Sequence, residues 1–173
     1  MEEDNKIIIE IDEDEFESRE EKKKTIRVLS FLLGGEKYCV QITDAKEVFG
    51  VSFVTKVPNA PQFVVGVANL HGAIIPIIDI RYFLGLERKE GLGNTKAIVS
   101  DVCNSNIGFV VDGVGEAMDI EEDSIQPPLA TIKGRLRDFT RGQMQIGEDI
   151  IIILELKKIL KCEEIESLKK GVS

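Results

Sequence analysis

The stretch Ala73–Ile80, Ala-Ile-Ile-Pro-Ile-Ile-Asp-Ile, restricts what this chain can fold into more than any other. β-branched apolar residues in nearly unbroken succession suit a strand shielded on both faces and lose rotamer freedom in a helix. Pro76 lies inside the run and has no N–H to give to a ladder. It therefore predicts an edge, a bulge, or a point where the strand leaves one sheet for another. Beyond it Ile78 and Ile80 face one way, while Asp79 and Arg81 face the other, about 7 Å apart and able to pair. Tyr82-Phe-Leu-Gly85 reads as one helical turn stopped by glycine. Upstream, Phe63, Val64, Val67, Ala68 and Leu70 recur at helical spacing, which predicts a short helix over Pro61–Leu70 that stops at His71-Gly72.

The remaining patterns are those of hairpins. Thr25–Leu33 and Lys37–Ile42 flank Gly34-Gly35, and Lys96–Val102 and Ile107–Val114 flank Asn104-Ser-Asn106. Thr43 and Asp44 are candidate caps of a short helical turn with Glu47 near its end, followed by an extended segment, Val48–Val57, that Pro58-Asn-Ala-Pro61 breaks. Glu87–Asn94 reads as a surface loop, Glu116–Ile120 as a strand and Glu121–Ser124 as a capped turn. A polar, flexible stretch is predicted from Gln126 through Arg141-Gly142. Gln143–Ile146 and Asp149–Glu155 then form a last hairpin around Gly147-Glu148, and an amphipathic helix starts at Leu156 with Leu156, Ile159, Leu160 and Leu168 on one side. The fold class is mostly β, and two successive hairpin-led halves imply two small packed barrels with short connecting helices and a C-terminal helix. The domain boundaries follow: a charged tail over 1–24, in which Ile7-Ile8-Ile9 and Ile11 offer a short extra strand, a folded domain over 25–160, and a helical tail over 161–173.

At 173 residues and 43% hydrophobic content the chain can bury a substantial core. Its net charge of −9 is unevenly spread, for residues 1–24 hold eleven acids against five bases and the folded part is near neutral. Neither part offers the basic stripe that a phosphate backbone or an anionic membrane needs. Aromatic content of 6% without tryptophan also argues against a base-stacking platform. There is no apolar run near the ~20 residues of a membrane span and no basic-then-apolar leader, so the expected location is the cytoplasm. Cys39, Cys103 and Cys162 are odd in number and widely separated, and they read as buried reduced thiols.

Catalytic equipment is not evident. The single His71 has no Cys or Asp at metal-ligand spacing, and no nucleophile elbow or phosphate loop occurs. Gly113-Val-Gly115 resembles half of a dinucleotide fingerprint but opens a strand instead of a helix. Asp79 and Asp112 could work as an acid/base pair only if the fold united them, and the simpler reading has each cap a turn or pair with an arginine such as Arg81. The sequence thus points to no enzyme, metal or cofactor. A near-neutral, aliphatic β module of this kind works by binding other proteins.

Four ordered segments carry a family resemblance: Gly66-Val-Ala-Asn-Leu-His-Gly-Ala-Ile-Ile-Pro-Ile-Ile-Asp-Ile-Arg81, Tyr38–Val48, Ile107–Glu116 and Asp149–Leu160. Together they resemble the CheW-like domains, the coupling proteins of bacterial chemotaxis, over residues 25–160. The resemblance implies a fold of two five-stranded SH3-like barrels. It further implies a non-enzymatic, cytoplasmic adaptor, recruited to receptor arrays, that bridges the cytoplasmic tips of methyl-accepting chemoreceptors and the regulatory domain of the histidine kinase CheA. By the same resemblance Gly66, Asn69, His71, Gly72 and Gly108 are receptor-binding positions, and Ala45, Glu47 and Gly142 are kinase- or partner-binding positions. Replacement of Gly108 or Gly142 is expected to impair coupling. The chain departs from the family at His71, where arginine is usual. Histidine is shorter and cannot fork to a carboxylate. The alternatives are a regulatory module of a larger kinase or coupling protein and, from another class, a small β-barrel enzyme or oligonucleotide binder.

Overall fold

The computed structural model describes residues 23–87 and 95–172. Its strands are β1 (Thr25–Leu33), β2 (Glu36–Gln41), β3 (Glu47–Gly50), β4 (Val64–Leu70), β5 (Ala73–Asp79), β6 (Lys96–Val102), β7 (Ser105–Val111), β8 (Gly113–Glu121), β9 (Thr140–Ile146) and β10 (Asp149–Leu154). The helices are α1 (Arg81–Leu84), α2 (Arg135–Asp138) and α3 (Cys162–Val172), with 3-10 turns at Ile42–Asp44, Glu122–Ser124 and Leu156–Lys158.

Two five-stranded sheets result, in the orders β8-β1-β2-β10-β9 and β3-β6-β7-β5-β4. Both follow one plan. A central antiparallel hairpin, β1–β2 or β6–β7, gives its second strand a parallel neighbour, β10 or β5, which is itself half of a hairpin with β9 or β4. An isolated bridge then joins the two ends of each sheet. Gln126, beyond β8, exchanges both backbone hydrogen bonds with Gln143 of β9, and Thr55, beyond β3, does the same with Val67 of β4. Each sheet is thereby closed into a small barrel, the first sheet as barrel A and the second as barrel B.

The apolar residues sort into three cores. Val28, Cys39, Ile120, Met144, Ile151 and Ile153 fill barrel A, and Ala68, Ile75, Ile77, Val99 and Val110 fill barrel B. The largest core lies between the barrels, where Phe31, Leu33 and Val40 of barrel A meet Ile78, Ile98, Phe109 and Val111 of barrel B, with Phe139, Leu156, Ile159, Ile165 and Leu168 completing it. Alternation along β6 explains the split, since Ala97 and Val99 point into the barrel while Ile98 and Val102 point to its neighbour. This is why the strands read as unbroken apolar runs.

Several expectations are corrected. Residues 64–70 are strand β4, not helix. Phe63, Val64, Val65, Val67, Ala68 and Leu70 are so densely apolar that either period fits them, and pairing with β5 decides. Pro76 lies in a strand interior to the sheet, but pairing with β7 starts only at Ile77, so beside Pro76 the strand has β4 alone as a paired neighbour. Its partner Val67 commits both backbone groups to Thr55, so Val67 and Pro76 form a non-hydrogen-bonded pair to which the missing N–H makes no difference. The barrels are also not successive halves. Barrel B is one uninterrupted run, β3 to β7, inserted between β2 and β8 of barrel A, because parallel pairing of Tyr38 with Ile152 leaves no local trace. Arg141-Gly142, expected in a flexible stretch, belongs to β9, and the C-terminal segment is a 3-10 turn followed by α3. The turn at Ile42–Asp44 has no side-chain cap, and Glu47 begins a strand.

The cysteine reading holds for Cys39 alone, which is free and buried. Cys103 and Cys162 are exposed and joined in a disulfide. They are 59 residues apart in the sequence, and only the tertiary fold brings the β6–β7 turn to the start of α3. The proposed strand over Ile7–Ile11 and residues 88–94 of the predicted surface loop lie outside the described residues.

Candidate partner-binding surface

The β4–β5 turn is built by two left-handed residues, His71 at φ 51° and Gly72 at φ 85°, between the paired Leu70 and Ala73. Consecutive left-handed residues make the two-residue turn whose twist matches that of the strands. Glycine adopts this conformation without cost, and histidine is among the few other residues enriched there. Asn69 locks the corner, its Oδ1 accepting the Gly72 N–H at 3.0 Å. With the backbone so fixed, the His71 ring projects outward and its Nε2 meets Glu47 Oε1 at 2.6 Å.

Glu47 arrives from the other side. Ala45 closes the 3-10 turn with its N–H on Ile42 O at 3.1 Å, Lys46 N–H bonds Val99 O at 2.8 Å, and Glu47 then opens β3. Strands β3 and β4 terminate opposite ends of the barrel B sheet order. The Glu47–His71 contact thus spans the barrel's seam, which the Thr55–Val67 bridge closes further along. Side-chain exposures of 74% for His71 and 40% for Glu47 leave both groups open to a partner. Such an exposed pair adds little stability, of order 0–1 kcal/mol. Val48, next to Glu47 in the sequence, and Ile74, two residues past Gly72, are also exposed.

The structure therefore unites four of the residues singled out from the sequence, Glu47, Asn69, His71 and Gly72, while Ala45, two residues before Glu47, packs against the core between the barrels. The three other glycines lie elsewhere, and all three are buried. Gly66 and Gly142 hold equivalent places in the two barrels. Each precedes the residue that makes the closing bridge and follows an unmatched residue, Val65 or Arg141, that bulges the strand. A Cβ on Gly66 would overlap the Thr55 carbonyl, and one on Gly142 the Gln126 carbonyl. A Cβ on Gly108 would meet Ile77 Cδ1 at 2.7 Å inside barrel B. Any influence these three glycines have on partners passes through the shape of the barrels.

Asp79 and Asp112 are brought together around Arg81. Its Nε donates to Asp79 Oδ1 at 3.1 Å, and its Nη1 lies 3.6 Å from Asp112 Oδ1, with the arginine side chain 5% exposed. Asp112 Oδ2 also accepts the Gly34 N–H at 2.8 Å. With a cation between the carboxylates, the group is an electrostatic joint between barrel B and the β1–β2 turn of barrel A. The sequence marked all three residues but could not show that they meet. Among the described residues no set of His, Cys, Asp and Glu is arranged to hold a metal ion. Burial pushes the Cys39 thiol up to about 12, and burial together with the Glu36 charge pushes the Tyr38 phenol up to about 12. Both lie on β2 in barrel A, away from the seam of barrel B.

Comparison with known proteins gives a consistent result. The CheW-like domain family matches residues 27–164. A chemotaxis protein CheW of Rhizobium meliloti is 32% identical over 140 residues, covering 81% of this chain and 90% of that protein. The Klebsiella aerogenes chemotaxis protein CheW is 33% identical over 136 residues, covering 79% and 82%. Among solved structures, the scaffolding protein TtCheW of Thermoanaerobacter tengcongensis superposes with a TM-score of 0.71 at 30% identity, over 82% of this chain and 91% of that one. The matched span takes in both barrels, which have the SH3-like form that the resemblance implies. The chain belongs to the CheW-like family.

Proposed function

We propose that this protein is a non-enzymatic adaptor of bacterial chemotaxis that works in the cytoplasm, holding a chemoreceptor signalling tip and the regulatory domain of the histidine kinase CheA in one assembly. The observation that carries this reading is the Glu47–His71 contact at 2.6 Å. It joins one residue from the receptor-side set to one from the partner-side set, so a partner that engages either also touches the other. The chemotaxis names of the relatives support the pathway. Among the described residues no helix is long and apolar enough to cross a membrane.

A receptor tip offers helix faces, and exposed Val48 and Ile74 offer such a face apolar anchors, with the Glu47–His71 contact as a polar register mark. Individual contacts of this size are weak. Many of them in one array raise the effective concentration and so tighten the assembly without new contacts.

The test is a pull-down of the purified chain against a CheA regulatory domain and, separately, a receptor-tip fragment, with Ala45→Asp and Asn69→Ala as folded variants. Binding to both partners, with each variant weakening them unequally by roughly 10-fold or more (about 1.4 kcal/mol), is expected. A well-folded chain that binds neither partner would remove this function and leave the fold standing.

A further inference from the structure

Cys103 occupies the β6–β7 turn of barrel B, and Cys162 is the first residue of α3. Their Cα atoms are 5.7 Å apart, which suits a disulfide without backbone movement. Both residues are exposed to solvent. The remaining cysteine, Cys39, is buried in barrel A with its thiol kept protonated. Thiol chemistry is thereby confined to the exposed pair.

Helix α3 has eleven residues, a length that is marginal in water on its own. Its Ile165 and Leu168 are buried in the core between the barrels, and Arg135 pairs with Glu164 at 2.5 Å. Leu168 also walls a cavity of about 90 Å³ with Pro58, Pro61, Val64, Val67 and Pro76. That cavity leaves this side of the helix incompletely packed. The bond between Cys162 and the β6–β7 turn fixes the start of the helix over this contact.

We propose that Cys103 and Cys162 form a reversible redox modification site, oxidised by hydrogen peroxide and reduced by a small dithiol, whose oxidised form fastens α3 to barrel B. The inference rests on the cytoplasmic role proposed above, because a reducing compartment is what makes an exposed disulfide reversible. One thiolate attacks the peroxide, the O–O bond breaks, and a sulfenic acid and hydroxide form. The second cysteine attacks that sulfur, the S–O bond breaks as the S–S bond forms, and the oxygen leaves as water with the thiol proton. Two thiols and one peroxide give one disulfide and two waters. An external dithiol reverses the change by two exchanges and becomes a disulfide itself.

The experiment takes the full chain reduced with dithiothreitol, adds hydrogen peroxide, maps the cross-link by mass spectrometry and follows amide exchange across residues 162–172. The expected result is a Cys103–Cys162 link that forms with oxidant and reverses with dithiothreitol in the folded protein. α3 amides should exchange at least about tenfold more slowly in the oxidised form. Cys103→Ser and Cys162→Ser should each match the reduced form under both conditions. Thiols that stay open to alkylation after oxidant, a link that dithiothreitol leaves intact, or equal α3 exchange in both forms would each overturn the proposal. None of these readouts involves a receptor or kinase fragment, so failure of partner binding is a separate result.

Discussion

His71 combines a backbone conformation that most side chains avoid with a ring that reaches an acid across a barrel seam. An arginine here would keep the charge at every accessible pH and fork to both oxygens of Glu47 or of a receptor acid. His71→Arg is therefore expected to hold receptor-tip affinity unchanged or to raise it up to about tenfold. A large loss of affinity in a titration of the variant would show that the shorter ring is required. The resemblance gave His71 and Glu47 their binding roles, as members of different sets. Their meeting was not legible because they belong to strands at opposite ends of the sheet order, and only closure of the barrel makes them neighbours.

Each barrel is closed by a bulge, a glycine and a single bridge in the same order, at Val65-Gly66-Val67 and at Arg141-Gly142-Gln143. Gly66→Ala and Gly142→Ala both drive a methyl into a backbone carbonyl, which cannot swing away as a side chain can. Each is expected to cost about 2–4 kcal/mol, read as a shift in urea midpoint. Gly72→Ala has open space and a left-handed backbone only, so about 1 kcal/mol is expected. Equal effects at Gly66 and Gly72 would deny the seam its special role. The hairpins were readable because Gly34-Gly35 and Gly147-Glu148 announce their turns. Strand β4 was not, since its valines and leucine satisfy both periods, and reading β5 as a strand did not by itself show that the residues before His71-Gly72 pair back onto it. The closing glycines could have been found by aligning the two halves of the topology, which requires the topology first.

In the molecule as a whole the two barrels are held by the core between them and by one buried charge cluster, Asp79–Arg81–Asp112, tied to Gly34. Arg81→Ala takes the cation from between two largely buried carboxylates and is expected to cost about 3–5 kcal/mol. Chemical denaturation of the variant measures this, and a change below about 1 kcal/mol would show that the joint is dispensable. The β class and the aliphatic runs were legible in the residue pattern, whereas the two barrels followed from the family resemblance, since the hairpins alone suggested successive halves that the fold does not have. The large core between barrels was not, because strands such as β6 bury both faces and so give no alternation from which an inner side can be read.

The insertion of one barrel inside the other has a consequence for how the protein is made. A ribosome releases β1 and β2 first, yet their partners β8, β9 and β10 emerge only after all of barrel B. Barrel B is complete on its own run of chain, while barrel A must join distant ends and so carries the larger loop-closure entropy. Barrel B is expected to gain amide protection first in pulse-labelled refolding, with Ile77 and Phe109 ahead of Tyr38 and Ile152. Simultaneous protection would mean that the barrels assemble as one unit. If barrel B forms first, β1 and β2 wait for β8, β9 and β10 with their apolar residues uncovered, a hazard for aggregation.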